Sequence, residues 1–402
     1  MNLLIYTHPF APKTGGVETY VMLLATELAR GKSAGLPGAV DVTVVTATPA
    51  GNPDGSSLPF RVVRQPGLLA YLRLLLEADV IHSAGPAIIP MLFGLVFRKP
   101  VVVEHSGYQA ICPNGLLFQE PEKSACPGYF LQRRYPKCLR CNAETLGWSK
   151  SSTKLILMFL RRALAKRVDR NIAPSHHVAR RIALPRTATI YHGISSLHAV
   201  PPAVVHGRDS ETCFTYVGRL TKEKGVHLLF PAARELADAG YRFALKIVGD
   251  GPERGRLEAQ AKTLGLQART KFAGFLKGEA LRRTLDDVRV VVIPSLWEEA
   301  APLSAIEQMM CGRLVVAADT GGLGEFVDGA GLKFTPGNVS ALAACLRRIL
   351  DDPGLIGVLG EKARHKALNL FQGERMVAEH LRVYDECSGT LRREPMSTPV
   401  GC

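Results

Sequence analysis

The chain has 402 residues, 47% of them hydrophobic and 21% charged, and its 50 Lys and Arg against 36 Asp and Glu leave a formal net charge of +14. That apolar content excludes disordered and fibrous chains, and the length fits two or three domains at about 100–200 residues each. No run of 18 apolar residues exists to span a bilayer, and MNLLIYTHPF lacks the basic start of a signal peptide, so a cytoplasmic protein is expected.

Short β-branched runs alternate with amphipathic stretches along the chain: NLLIYTH, a glycine loop, VETYVMLLATELAR, VDVTVVTAT, ADVIHSA, KPVVVEHSG and DRNIAPS. After residue 205 the same grammar restarts with CFTYVGR, HLLFPAARELADAG, FALKIVGDG, ERGRLEAQAKTLG, RTKFAGF, VRVVVIPS, SAIEQMMCG and RLVVAADTG. Strands separated by helices of this kind indicate parallel βαβ units, so the pattern predicts two doubly wound, Rossmann-like α/β domains. The first is expected over 1–195 and the second over 213–371, joined by the Pro-containing linker 196–212. A final helix over 372–388 and a fraying tail over 389–402 complete the chain. Open parallel sheets bind ligands at the carboxyl ends of their strands, so chemistry is sought in the strand-to-helix loops.

Three such loops stand out. In HPFAPKTGGVETY, Gly15 and Gly16 precede a helix and expose bare amides that suit a phosphate or a sugar, though a tight turn explains the pair equally. In YVGRLTKEKGVHLL, Arg219 and Lys224 place two cations where they can clamp a diphosphate without a metal, unless the loop is merely solvated. In PSLWEEAAPLSAIEQMMCG, Glu299 and Glu307 are separated by seven residues, and Pro302 takes the first helical position. The amides around Leu303 and Ser304 then face an anion, and Glu307, inside the helix, can accept from a ribose diol. An ordinary capped helix carrying two solvated glutamates is the plain alternative.

Arg219 and Lys224 in VGRLTKEKG, then IVGDGPE, then the Glu299/Glu307 pair, then TGGLGEFV resemble glycosyltransferase family four, as do GGVETY and the HSG around His105. The resemblance covers nearly the whole chain. It implies a GT-B fold and a retaining enzyme that uses a nucleotide-diphosphate sugar, with no cofactor required for catalysis. By resemblance, Arg219 and Lys224 neutralise the departing diphosphate, Glu307 holds the ribose and Glu299 the transferred sugar. Backbone from Ala301 to Ser304 completes the phosphate site, His105 lies beside the reacting centre, and Gly16 closes on the donor. The implied acceptor is a glycan or lipid-linked sugar in cell-surface polysaccharide or glycolipid synthesis, bound by the N-terminal domain at the cytoplasmic face of the inner membrane. Where the family has Asn-Gly-(Val/Ile)-Asp, this chain has His192 to Ser195; Ala300, Ala301 and Gln308 also depart from it. An epimerase or hydrolase of the same fold, and a non-catalytic binding protein, are the rival readings.

Two features fall outside those motifs. Cys112, Cys126, Cys138 and Cys141 sit in an insert over about 108–150, and only the last two have metal-ligand spacing. A structural zinc site, free thiols and disulfides all fit them. A similar cysteine insert follows the histidine loop in some bacterial polysaccharide glycosyltransferases that the chain resembles. The second feature is charge: residues 131–186 hold fourteen basic and two acidic side chains, nearly the whole surplus. There, SSTKLILMFLRRALAKRVDR predicts a helix with Leu155, Ile156, Phe159, Leu160 and Leu164 on one face. That face is expected in the domain core, with Arg161, Arg162, Lys166 and Arg167 solvated. The sharper reading is a basic amphipathic helix on an anionic membrane surface. Nucleic acid is disfavoured, because the basic segment carries no interleaved aromatic platform.

Overall fold

The computed structural model describes residues 1–12, 15–33, 40–49, 58–119, 121–194 and 211–389. Most of the linker expected at 196–212, Ser195, and the tail from 390 onward lie outside the described residues.

The N-terminal domain runs β1 (Asn2–Thr7), α1 (Gly16–Ser33), β2 (Asp41–Thr46), β3 (Arg61–Arg64), α2 (Leu68–Glu77), β4 (Val80–Ala84), α3 (Ile88–Val96) and β5 (Val101–Glu104). The cysteine insert follows, with β6 (Phe118–Gln119), β7 (Ser124–Ala125) and α4 (Tyr135–Leu146); α5 (Trp148–Ala165), β8 (Arg170–Ala173), α6 (His176–Ile182) and β9 (Thr187–Thr189) end the domain. Its seven strands lie in the order β3-β2-β1-β4-β5-β8-β9, all parallel, while β6 and β7 form a separate antiparallel pair. Strands β4 and β5 are buried on both faces, and their apolar run is broken only by the buried polar residues His82, Ser83 and Glu104.

The C-terminal domain comprises β10 (Cys213–Val217), α7 (Leu229–Asp238), β11 (Ala244–Val248), α8 (Arg254–Thr263), β12 (Thr270–Gly274), α9 (Gly278–Leu285) and β13 (Val290–Ile293). Then come α10 (Leu303–Met310), β14 (Leu314–Ala318), α11 (Gly321–Val327), β15 (Leu332–Phe334), α12 (Val339–Asp351) and α13 (Gly354–Leu370). Its parallel sheet has the order β12-β11-β10-β13-β14-β15. The chain then returns: α14 (Gly373–Ser388) packs on α1, and its Met376, Val383 and Tyr384 join the core formed by Leu3, Tyr20, Leu24 and Val80.

Helix α5 departs from its expected orientation. Leu155, Met158 and Leu164 are buried, but Ile156 is 69% exposed, and Phe159 and Leu160 also reach solvent. The arginines go the other way: Arg162 donates to the carbonyls of Ile182 and Ala183 at the end of α6, and Arg161 to Gln109. Arg162 thereby satisfies carbonyls that the end of α6 leaves unpaired, which an outward rotamer would forfeit. Helix α10 also begins one residue later than expected, with Pro302 preceding its first helical residue.

A buried polar network ties α14 to the N-terminal sheet. Glu104, at the end of β5, is wholly buried and accepts from Tyr20, from His192 Nε2 (2.6 Å) and from His380 Nε2 (3.0 Å). His380 Nδ1 faces the Met376 carbonyl at 2.8 Å. His380 thus bridges its own helix and the end of β5 through its two ring nitrogens. Burial pushes the Glu104 carboxyl up, but the hydrogen bonds from His192 and His380 outweigh it and hold the group well below the usual carboxylate range. His82 bonds to Tyr384 and Tyr20 instead; burial keeps it neutral, with a pKa of about 3.

Candidate functional site

The central pair is Lys224 and Glu299, whose Nζ and Oε1 lie 2.6 Å apart across the carboxyl ends of β10 and β13. Backbone geometry brings them together. Gly225 has φ +66°, and a Cβ there would stand 2.0 Å from the Pro294 carbonyl, so only glycine lets the KEKG turn approach the end of β13 so closely. Leu296 N donates to the Glu223 carbonyl and fixes the contact. Ser295 Oγ donates to the same Glu299 oxygen at 2.7 Å, and the Lys224 ammonium lies 5.5 Å from the centre of the Trp297 ring. Behind the loop, Gly321 has φ +62°, and its missing Cβ leaves room for the Glu299 backbone.

Around that pair the expected residues are distributed unevenly. Arg219 is exposed two residues beyond β10, and Tyr216 anchors its carbonyl at 2.7 Å. Glu307 projects from α10, reached by solvent yet walled by protein at longer range. That enclosure raises its carboxyl to about 7 against an opposing pull from Arg313. Leu303 and Ser304 form the first turn of α10. Gln308, a departure from the family pattern, is buried and accepts from Arg313 at 2.6 Å, so it satisfies an internal guanidinium. Gly15 and Gly16 are exposed at the start of α1, and a Cβ at Gly16 would meet nothing within 4 Å.

His105 is buried at the end of β5, beside β8. Asn171 donates through Nδ2 to the Ala165 and Pro185 carbonyls, so its Oδ1 must accept, and His105 Nε2 donates to it at 2.9 Å. That fixes the tautomer and leaves Nδ1 as a bare acceptor with no partner among the described residues. Burial lowers the ring's pKa to about 4, so it is neutral at pH 7.

Glu298, the neighbour most easily confused with Glu299, has a different partner set. It receives Arg181 through Nε (2.7 Å) and Nη2 (2.6 Å), and His177 Nε2 (2.7 Å), both from α6 of the N-terminal domain. Burial pushes its carboxyl up, but the bonds from His177 and Arg181 outweigh that and hold it below the usual range. Nearby, Ser175 Oγ donates to the Ala300 carbonyl, and Glu325 accepts from the amides of His176 and His177 and from Tyr191. The two domains are thus latched beside the Lys224/Glu299 pair. A double-mutant cycle with Arg181→Ala and Glu298→Ala is expected to give a coupling of about 1–3 kcal/mol in urea unfolding, since the pair is bidentate and mostly buried. A coupling near zero would show that the latch adds no stability.

Sequence reasoning missed Arg181, His177 and Tyr108 here; the Tyr108 hydroxyl is buried and without a partner among the described residues, within electrostatic reach of Glu298 and Glu299. A cavity of about 470 Å³ opens beside the latch, lined by His177, Arg180, Glu298, Asp319, Glu325 and Lys333 among others. It contains none of Arg219, Lys224, Glu299 and Glu307, and its acidic wall suits a diphosphate poorly.

The cysteines stand apart from this chemistry. Cys112, Cys126 and Cys138 are buried free thiols, and Cys141 is half-buried. As they stand they are not a closed coordination set: among the described residues no three His, Cys, Asp or Glu side chains are placed to hold a metal.

Two parallel α/β domains that meet at the carboxyl ends of their strands, with cations and carboxylates on the joining loops, define the GT-B class of glycosyltransferases. Residues 14–196 match the model for Glycosyltransferase Family 4 and residues 204–366 the model for Glycosyl transferases group 1. The chain belongs to glycosyltransferase family 4. It is 40% identical over 140 residues to the 2-deoxystreptamine glucosyltransferase of Streptomyces kanamyceticus, covering 34% of this chain and 36% of that one. It is 34% identical over 160 residues to the alpha-D-kanosaminyltransferase of the same organism, covering 39% and 41%. The matches thus span about two-fifths of the length of these relatives. Among solved structures, sucrose-phosphate synthase from Thermosynechococcus elongatus superimposes with a TM-score of 0.72 at 22% identity, covering 97% of this chain and 100% of that one. Anabaena HepE in complex with UDP gives 0.70 at 18% identity, covering 96% and 100%.

Proposed function

We propose that the protein transfers a sugar, with retention, from a nucleotide-diphosphate sugar to a glycan or lipid-linked acceptor in cell-surface polysaccharide or glycolipid synthesis. The observation that carries this reading is the Lys224/Glu299 pair, 2.6 Å apart, with Arg219 on the loop after β10 and Glu307 on α10. Arg219 and Lys224 neutralise the departing diphosphate. The transition state is oxocarbenium-like, and charge placed at the leaving group in advance lowers the barrier without reorganisation. Glu299 spends Oε1 on Lys224 and Ser295, which leaves Oε2 for hydroxyls of the sugar. Glu307 takes the ribose diol, and Gly15 and Gly16 close from the opposite domain. His105, neutral and with Nδ1 bare, can accept a hydrogen bond from a hydroxyl there but cannot donate one. The leaving phosphate takes the acceptor's proton, so no protein nucleophile and no catalytic metal is invoked. HepE has been solved with UDP and with UDP-glucose, which supports a nucleotide-sugar donor.

The acceptor side supports work at an anionic membrane surface, the cytoplasmic face of the inner membrane. Leu69 is 84% exposed on α2, Ile89 and Val96 are exposed on α3, and Trp148 (66%) and Ile156 on α5; α3 touches both α2 and α5. Exposed Lys150 and Lys154 lie on the same helix as Ile156. Apolar side chains rimmed by cations suit an anionic interface. No described helix is long and apolar enough to cross a membrane. The names of the Streptomyces relatives favour a second reading, a small aminocyclitol acceptor.

A donor screen following nucleotide release, with membrane lipid extract or 2-deoxystreptamine as acceptor and the product anomer read by NMR, tests both readings. Release that needs lipid extract and gives a retained anomer is expected. Free sugar formed without any acceptor would point instead to a hydrolase. Sedimentation with phosphatidylglycerol vesicles should occur at low salt and weaken as salt rises. Binding that ignores salt, or none at low salt, would remove the membrane from the reading.

A further inference from the structure

We propose that Arg181 is a positioning residue for the donor sugar: with Ser175 and His177 it holds the Glu298–Ala300 segment from the opposite domain and so sets Glu299. The assignment rests on the reading of Glu299 as the sugar-binding carboxylate. Residues 294–302, between β13 and α10, form neither helix nor strand, so contacts with neighbours must fix them. The C-terminal domain supplies Gly322 N on the Glu299 carbonyl (2.6 Å), besides the bonds of Lys224 and Ser295 to Glu299 Oε1. The N-terminal domain grips the segment on both sides of Glu299. Before it, Arg181 donates to both Glu298 oxygens, and His177 Nε2 lies 2.7 Å from Oε2. After it, Ser175 Oγ donates to the Ala300 carbonyl at 2.9 Å.

Each hold has its own geometric cause. Ser175 caps α6 and accepts from Val178 N at 3.2 Å, so its single O–H is committed to the Ala300 carbonyl. A Cβ at Gly322 would stand 2.3 Å from that carbonyl and 2.9 Å from Ser175 Oγ, so only glycine lets α11, the segment and α6 meet here. Arg181 is anchored in turn, because Nη2 also donates to the Cys126 carbonyl at 2.8 Å. Its planar fork spans both Glu298 oxygens, which the single ammonium of a lysine does not.

The consequence is a division of labour within the donor. Arg219, Lys224 and Glu307, which take the diphosphate and ribose, all belong to the C-terminal domain, whereas Glu299 is set from both domains. Moving the domains apart must break the Arg181, His177 and Ser175 bonds but leaves the nucleotide groups together. Binding of a nucleoside diphosphate is then indifferent to α6, and only the sugar senses it. If loss of the latch leaves the segment correctly placed in about a tenth of the molecules, the apparent affinity for a nucleotide sugar falls about tenfold. The nucleoside diphosphate left after transfer is held by one domain alone, so the latch does not retain the product.

The test compares Arg181→Ala and Arg181→Lys with the unaltered full chain by calorimetric titration. The probes are UDP-glucose with UDP, and GDP-mannose with GDP, whichever set the unaltered chain binds. Arg181→Ala should weaken the nucleotide sugar about tenfold and the nucleoside diphosphate less than about twofold, and Arg181→Lys should recover part of the loss. A merely structural arginine would weaken both ligands in step or neither, and either result overturns the proposal. Should Arg181→Ala not fold, Glu298→Gln, which keeps the shape and removes the charge, is judged by the same ratio. Small-angle scattering without ligand needs no donor: Ser175→Ala/Arg181→Ala should have a larger radius of gyration than the unaltered chain, and an unchanged one overturns the proposal. If neither set of probes binds the unaltered chain, the donor reading is what fails for these nucleotides, and scattering decides the latch.

Discussion

Replacing Lys224 with alanine is expected to lower the turnover number for sugar transfer by about two to three orders of magnitude, the range seen when one preorganised charge-stabilising group is lost. The change has two consequences. It removes a cation from the position where the departing phosphate gains negative charge. It also leaves Glu299, itself buried, with only the Ser295 hydroxyl for its Oε1. Breaking a buried ion pair from one side costs about 3–5 kcal/mol, and the partial exposure of Lys224 places this case below that range. The protein should therefore remain folded, and thermal unfolding measured beside nucleotide release separates lost stability from lost chemistry. Lys224→Arg should recover part of the activity, because it keeps the charge but changes its geometry. Unchanged transfer by K224A would remove Lys224 from the catalytic reading.

The second large effect is on stability in acid. His82 and His105 are buried and neutral, with pKa values of about 3 and about 4, whereas both titrate near 6.5 when unfolded. As pH falls from 6.5 towards 4, the unfolded chain takes up two protons that the folded protein refuses. Stability is then lost at up to about 1.4 kcal/mol per pH unit for each histidine. Glu104 acts with the same sign lower down: its carboxyl is depressed in the folded state, so its contribution is present above about pH 4.5 and lost as pH falls further. Urea midpoints from pH 7.5 to 4 should fall throughout, and Glu104→Ala should lose about 3–5 kcal/mol at pH 7, since it leaves buried Tyr20, His192 and His380 without the acceptor they share. Midpoints constant down to pH 4.5 would show that these groups are solvated.

The alternation of β-branched runs and helices made the two sheets legible, because burial on both faces leaves parallel strands a signature of their own. The short strands Arg61–Arg64 and Thr187–Thr189 carry no such signature, being half-exposed edges of three or four residues. The spacings of Arg219, Lys224, Glu299 and Glu307 were legible because each pair lies within one loop or one loop and its helix. Arg181 and Tyr108 were not, since they reach the site only through tertiary contact from another domain. The doublet Glu298–Glu299 did carry a signal: of two adjacent carboxylates at a strand end, Lys224 takes one and α6 the other. The outward face of α5 was misjudged because hydrophobic periodicity tells which residues share a face, and says nothing of whether protein or another medium covers it.

That α14 completes the N-terminal core bears on how the chain emerges from the ribosome. Glu104 and His82 are synthesised early, yet His380 and Tyr384 reach them only when nearly the whole described chain has been translated. The N-terminal half must therefore wait with a charged carboxylate at an unfinished surface while the second domain folds between. Nascent-chain arrest before and after residue 384 should show protease resistance of the first domain rising only in the longer chain, and any exchange of domains with a relative has to move the last helix together with the first half.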